Sequence, residues 1–234
     1  MKTKGSDGRP VFLIHAIEGN ITPLKDFARE LGRPAWGIQC TENVPMDSIE
    51  TVAKFYIELI KKIQSEGPYD IAAYSFGTVV AFEIAIQLEE AAQMVSLSLL
   101  DGSPIILKNI ARLVIVSADR NVSDIYTDTF RKYLAFFVTQ VNKDYNTPEV
   151  YEIFRKISDD ELLDKMVEIV NRRQFSTKEL KAAGVAFYNK ILASLNYNPS
   201  RKIDAKIKLI KAKDSLMAFD EDYSLSKVNF VSTR

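Results

Sequence analysis

Asp70-Ile71-Ala72-Ala73-Tyr74-Ser75-Phe76-Gly77 is an apolar run that ends on a serine and passes directly into a helical pattern, with Ala73 two residues before the serine and Gly77 two after. Small residues on both sides let the backbone turn tightly from strand to helix. A serine at that turn, in this variant of the Gly-x-Ser-x-Gly elbow, stands clear of a sheet as a candidate nucleophile. Its hydroxyl attacks a carbonyl only when a base takes the proton, an acid orients the base and amide donors hold the oxyanion. Asp101, in Leu99-Leu100-Asp101-Gly102-Ser103-Pro104, follows the next apolar run and is the candidate acid. Gly102 and Pro104 are strong turn residues, so Asp101 also fits a plain turn cap. His15, in Phe12-Leu13-Ile14-His15-Ala16-Ile17-Glu18-Gly19, follows the first run and is the only histidine in 234 residues. The loop it stands on and the residue after the nucleophile are where such a turn draws its oxyanion amides, which nominates the backbone N–H groups of Ile17 and Phe76. His15 reads as a residue that holds this loop, and the base is left unassigned.

These residues need elements to hold them. Near-continuous apolar runs at Val11 to Ile14, Trp36 to Gln39, Tyr69 to Ala73 and Val95 to Leu100 have the form of buried parallel strands. Residues 47 to 64 place Ile49, Val52, Ala53, Tyr56, Leu59, Ile60 and Ile63 at helical spacing behind Asp47 or Ser48 as cap. Residues 76 to 90 form a second helix with almost no polar face, which requires burial against the sheet. Alternating strands and helices predict a doubly wound α/β sheet whose ligands lie at the carboxyl ends of the strands, where His15, Ser75 and Asp101 all fall. From Ile105 to about Asn198 the pattern becomes helical, with candidate helices at 124–142, 148–157, 159–172 and 177–195. Sheet character returns at Ala205 to Ala212, with a further candidate strand at Val228 to Val231. The division expected is a core of 1–104 with 199–234 and an inserted helical cap of 105–198. Within the cap, Phe130, Leu134, Phe137 and Phe187 are candidates for an apolar substrate groove, although helical spacing also suits them to plain core.

Composition narrows the classes. Forty-seven per cent hydrophobic and 26% charged residues are ordinary globular values. Thirty-one basic residues balance 31 acidic ones, so no global field favours nucleic acid or an anionic membrane. One cysteine, Cys40, excludes an internal disulfide, and together with the lack of a signal-like start it fits a reducing, cytoplasmic setting. Asn121-Val122-Ser123 matches a glycosylation acceptor that such a setting would not use. No clustering of metal-binding residues stands out, and no metal is expected.

Taken with Gly37-Ile38-Gln39-Cys40-Thr41, Met46-Asp47-Ser48-Ile49, Glu66-Gly67-Pro68-Tyr69 and Val80-Ala81-Phe82-Glu83, the segments around His15, Ser75 and Asp101 resemble the carboxyl-terminal thioesterase domain of animal type I fatty acid synthase. The likeness runs from about Arg9 to the end and is carried in the cap by Ala135-Phe136-Phe137-Val138 and Ala186-Phe187-Tyr188. It implies an α/β-hydrolase-like, mostly parallel sheet with an inserted helical cap. Ser75 would be the acyl-accepting nucleophile and Asp101 the acid of a triad. The implied reaction is release of a long-chain fatty acid from acyl carrier protein. The phosphopantetheine belongs to that carrier, no cofactor belongs to this domain, and upstream fatty acid synthase domains are implied partners. The family's histidine lies beyond the strand expected near Val228, so the chain reads as ending before it, with little activity expected from these residues alone. Two alternatives stay open: a polyketide or nonribosomal peptide thioesterase, which shares the elbow, and a catalytically dead acyl- or carrier-binding module.

Overall fold

Four apolar residues, Val11–Ile14, form strand β1, every one of them buried. Such a strand has no solvent face and must lie inside a sheet covered on both sides. The computed structural model describes residues 8–118, 128–170, 175–213 and 221–228. It divides into two compact units, one of Met1–Lys108 with Asn196–Arg234 and the other of Asn109–Leu195.

The first unit is built on five parallel strands, β1, β2 (Ala35–Ile38), β3 (Tyr69–Tyr74), β4 (Val95–Leu100) and β5 (Lys206–Ile210), in the order β2-β1-β3-β4-β5. Ile14 pairs with Ala73, Tyr74 with Leu100 and Leu100 with Ile210. Aligned registers bring the carboxyl ends of four neighbouring strands to one edge, and the strand order reverses between β1 and β3. A parallel sheet offers its ligand site at that reversal. The mostly parallel α/β sheet expected from the alternation is the one observed. β2 begins one residue earlier than expected because Ala35 pairs with Val11, whereas the side chain of Gln39 turns to accept from the Ile21 amide at 3.3 Å.

Three helices connect these strands. α1 (Lys25–Glu30), which follows a 3-10 turn at Thr22–Leu24, is too short to show a period in the sequence and was not among the expected elements. α2 (Ile49–Ile63) starts on Ser48, whose Oγ accepts the Thr51 amide at 3.2 Å. α3 (Gly77–Glu90) is buried on nearly every face, as its composition requires, and packs on α2, β1, β3 and β4. Its few polar groups are put to use. Glu83 accepts from the Tyr197 hydroxyl at 2.8 Å and from Gln87 Nε2 at 2.9 Å. Glu89 accepts from Arg201 at 2.8 Å and from the Ala205 amide at 2.7 Å. These bonds fasten the returning segment that leads into β5.

The chain leaves the first unit along α4 (Pro104–Ala118). Lys108 Nζ donates to Asn198 Oδ1 at 2.8 Å and to the Tyr197 carbonyl at 3.4 Å, so the outgoing and returning segments are tied together. The second unit contains α5 (Thr129–Val141), α6 (Thr147–Phe154), α7 (Asp159–Val170) and α8 (Thr177–Asn196). Leu134, Val138, Val150, Phe154 and Met166 form its core. α6 opens with a capping box in which Asn146 and Glu149 exchange side-chain and backbone hydrogen bonds. The first residues of the helix expected from 124, the last two of the one expected to 172, and Asn121 lie outside the described residues. So does the expected strand beyond Val228, and Val228 itself closes a 3-10 turn by donating to the Leu225 carbonyl at 2.9 Å. No helix among the described residues is long and apolar enough to cross a membrane.

Candidate active site

Ser75 directly follows β3 and has φ of 51°, in the left-handed region that costs a non-glycine residue energy. The surroundings hold it there. Its amide donates to the Leu100 carbonyl at 3.0 Å, and its own carbonyl accepts from the Thr78 amide at 2.9 Å and from Thr78 Oγ1 at 2.6 Å. Gly77 explains the small residue two places on. A Cβ there would press into the His15 carbonyl and lie 2.9 Å from that of Ile14, so the end of β1 leaves room for glycine alone.

Asp101 repeats this geometry at the end of β4, with φ of 47° and its amide donating to the Ile210 carbonyl at 2.8 Å. Its Oδ1 accepts from the Tyr223 hydroxyl at 2.7 Å and from the Ala212 amide at 3.3 Å. Tyr223 is fully buried and held in turn, its carbonyl accepting from Ser103 Oγ at 2.6 Å. Beneath the turn, a Cβ on Gly102 would come 2.6 Å from Thr78 Oγ1 and 2.8 Å from the Ser75 carbonyl. The loops carrying Ser75 and Asp101 are therefore in contact through Gly102. Burial first, and then the Asp101 and Glu18 carboxylates, raise the Tyr74 phenol above its ordinary range.

His15 lies inside, 1% exposed, with both ring nitrogens engaged. Nδ1 is 2.5 Å from the Ala16 carbonyl and Nε2 is 2.6 Å from the Tyr56 hydroxyl. The ring stacks on Phe76, with centroids 6.0 Å apart and planes 18° apart. A turn follows, closed by the Gly19 amide donating to Ala16. Ile17 lies inside this turn, two residues after His15, and Phe76, whose ring stacks on that of His15, is the cap residue before α3. Among the described residues neither amide donates to another protein group.

The apolar candidates of the second unit are placed differently. Leu134 is fully buried in that unit's core, and Phe187 is nearly so, with its ring centroid 5.3 Å from that of Phe137. Phe137 and Phe130 pack against the core while keeping some exposure. A groove of about 400 Å³ runs along β2 and α2 between Trp36, Leu59 and Ile63, and neither Ser75 nor Asp101 lines it. No cluster of three metal-binding side chains occurs among the described residues. Sequence reasoning missed Tyr223 and Tyr56. Tyr56 carried a signal, being a hydroxyl on an otherwise apolar helix face, whereas Tyr223 lies in a polar loop with none.

Residues 9–109 match the family model described as Thioesterase domain. The polyketide synthase PksR of Bacillus subtilis (strain 168) is 39% identical over 104 residues, which cover 43% of this chain and 4% of that protein. The curated relatives are thus far longer than this chain. Among solved structures, a four-domain nonribosomal peptide synthetase bound to AMP and glycine superposes with a TM-score of 0.78 at 22% identity, over 98% of this chain and 17% of that one. The thioesterase domain that cyclises the lipopeptide surfactin gives 0.59 at 19% identity, over all of this chain and 82% of that domain. At these identities the structures show a shared α/β-hydrolase-like thioesterase fold. The expected likeness to animal fatty acid synthase gains no support from these relatives, which are assembly-line synthases.

Proposed function

We propose that this chain, a thioesterase domain of the α/β-hydrolase type, releases a polyketide or peptide chain from the phosphopantetheine thioester of a carrier protein. The observation that carries the reading is the pair of strained residues at adjacent strand ends, Ser75 after β3, beside the reversal of strand order, and Asp101 after β4. Strain of this kind is retained where a side chain has work to do. In the first step Ser75 Oγ attacks the thioester carbonyl and gives up its proton, and the Ile17 and Phe76 amides hold the oxyanion. Collapse expels the pantetheine thiol, which takes a proton, and leaves an acyl ester on Ser75. Water, or a hydroxyl or amine of the same chain, then attacks that ester and yields an acid or a ring. Asp101, held by Tyr223, is placed to orient a base that would carry the protons, and the only imidazole in these 234 residues is that of His15. His15 does not fit that role, because both its nitrogens are already bonded. Within the second unit, Phe130 and Phe137 are the candidate apolar side chains for the substrate, since they keep some exposure.

A fluorophosphonate probe followed by peptide mass analysis tests the nucleophile. In a version of the chain extended to supply a histidine, labelling at Ser75, at least slow, that vanishes in Ser75→Ala is expected, and labelling that survives the substitution overturns the assignment. A second reading, release of a long-chain fatty acid from acyl carrier protein, rests on the motif segments around His15, Ser75 and Asp101. Model thioesters separate the two, since preference for palmitoyl over hydroxyacyl and peptidyl substrates would select the second.

A further inference from the structure

We infer that Tyr56, from the middle of α2, is a positioning residue that sets the oxyanion amides through His15. The inference rests on the reading of Ile17 and Phe76 as oxyanion donors. Three contacts converge on one ring. A carbonyl only accepts, so the Nδ1 that lies 2.5 Å from Ala16 O carries the proton, and Nε2 is left as the acceptor for Tyr56 Oη at 2.6 Å. Tyr56 also meets the ring edge-on, at 5.8 Å and 84°, while Phe76 stacks on its face. The ring therefore bonds to the residue before Ile17 and rests on Phe76 itself. Rotation of the imidazole would break the Tyr56 and Ala16 bonds together, so the Tyr56 bond helps to fix the ring against which the two amides are set.

Tyr56 is suited to this work. It is fully buried on a helix capped by Ser48, so its hydroxyl has a fixed origin. Burial first, and then the Cys40 side chain, push the phenol well above its ordinary range, so it stays protonated and is a donor. A displacement of about 1 Å in a catalytic array costs on the order of a hundredfold in rate, so a brace of this kind is worth retaining even though it touches no substrate.

A single histidine makes the test direct, because every imidazole signal in the nitrogen-15 NMR spectrum belongs to His15. At neutral pH the native protein should show one neutral tautomer, protonated on Nδ1. An Nε2-protonated ring or an imidazolium overturns the proposal without any variant. Tyr56→Phe keeps the ring and removes the hydroxyl. It should shift the His15 signals and the Ile17 and Phe76 amide signals, and slow fluorophosphonate labelling of Ser75 by about tenfold or more. Melting alone could move for structural reasons, but the tautomer could not. A variant with unchanged His15 and amide signals overturns the proposal whether or not Ser75 reacts. Where neither protein labels Ser75, as the want of a free imidazole would also produce, the His15 and amide signals alone decide the brace.

Discussion

At the scale of single residues, the site is set by where a methyl group cannot go. The two atoms nearest a Cβ on Gly77 are backbone carbonyls, which cannot swing aside as a side chain would. Gly77→Ala should therefore destabilise the protein by about 1–3 kcal/mol, the usual cost of overpacking, and should slow Ser75 labelling as well. A denaturant midpoint equal to that of the native chain would contradict this account of the elbow. Ser75, Asp101 and Gly77 were legible in the sequence because a strand-to-helix turn is local, and its demands fall within a few residues. Tyr223 and Tyr56 were not, since they reach Asp101 and His15 across 122 and 41 positions. Such contacts exist only once the sheet has formed.

Elements contribute through their ends and their buried faces. Ser48 satisfies an amide at the start of α2, so Ser48→Ala should cost about 1 kcal/mol, read as a lower denaturant midpoint. It should also weaken the seat of Tyr56. In α3, Glu83 is a buried carboxyl whose protonated form is favoured by desolvation, the largest effect, against the lowering influence of Gln87 and Tyr197. The native protein therefore holds a proton that the unfolded chain releases just above 4.5. The resulting stabilisation is fully present below that pH and is lost as the pH rises through the raised native value. Glu83→Gln keeps an acceptor for Tyr197 and removes the titration. Its stability relative to the native chain should rise as the pH climbs above 4.5, and parallel stability profiles would show that the carboxylate is not penalised. Strands and long helices were readable because burial on both faces leaves continuous apolar runs and amphipathic helices leave a period. The six residues of α1 are too few to display either signal.

For the whole molecule, the informative feature is where the chain passes between its two units. Lys108 on the outgoing side and Tyr197 and Asn198 on the returning side are bonded to one another, and Tyr197 is bonded to Glu83. Lys108→Ala should release the outgoing segment, so limited proteolysis should cut faster near residues 108–110 and 196–200 while the sheet stays resistant. Uniform acceleration along the chain would instead mean that the substitution loosens the fold at large. The helices described between residues 105 and 198 were visible in the sequence, but the tie between Lys108 and Asn198 was not, because a lysine and an asparagine 90 positions apart give no pattern. That tie also has an evolutionary meaning. A segment whose two ends are held a hydrogen bond apart can be exchanged for another of different length without altering the order or register of any strand, since insertion is tolerated where termini are close. The sheet can thus act as a constant chassis and residues 109–195 as an interchangeable cassette, whose length can change while the strand ends that carry Ser75 and Asp101 stay unaltered.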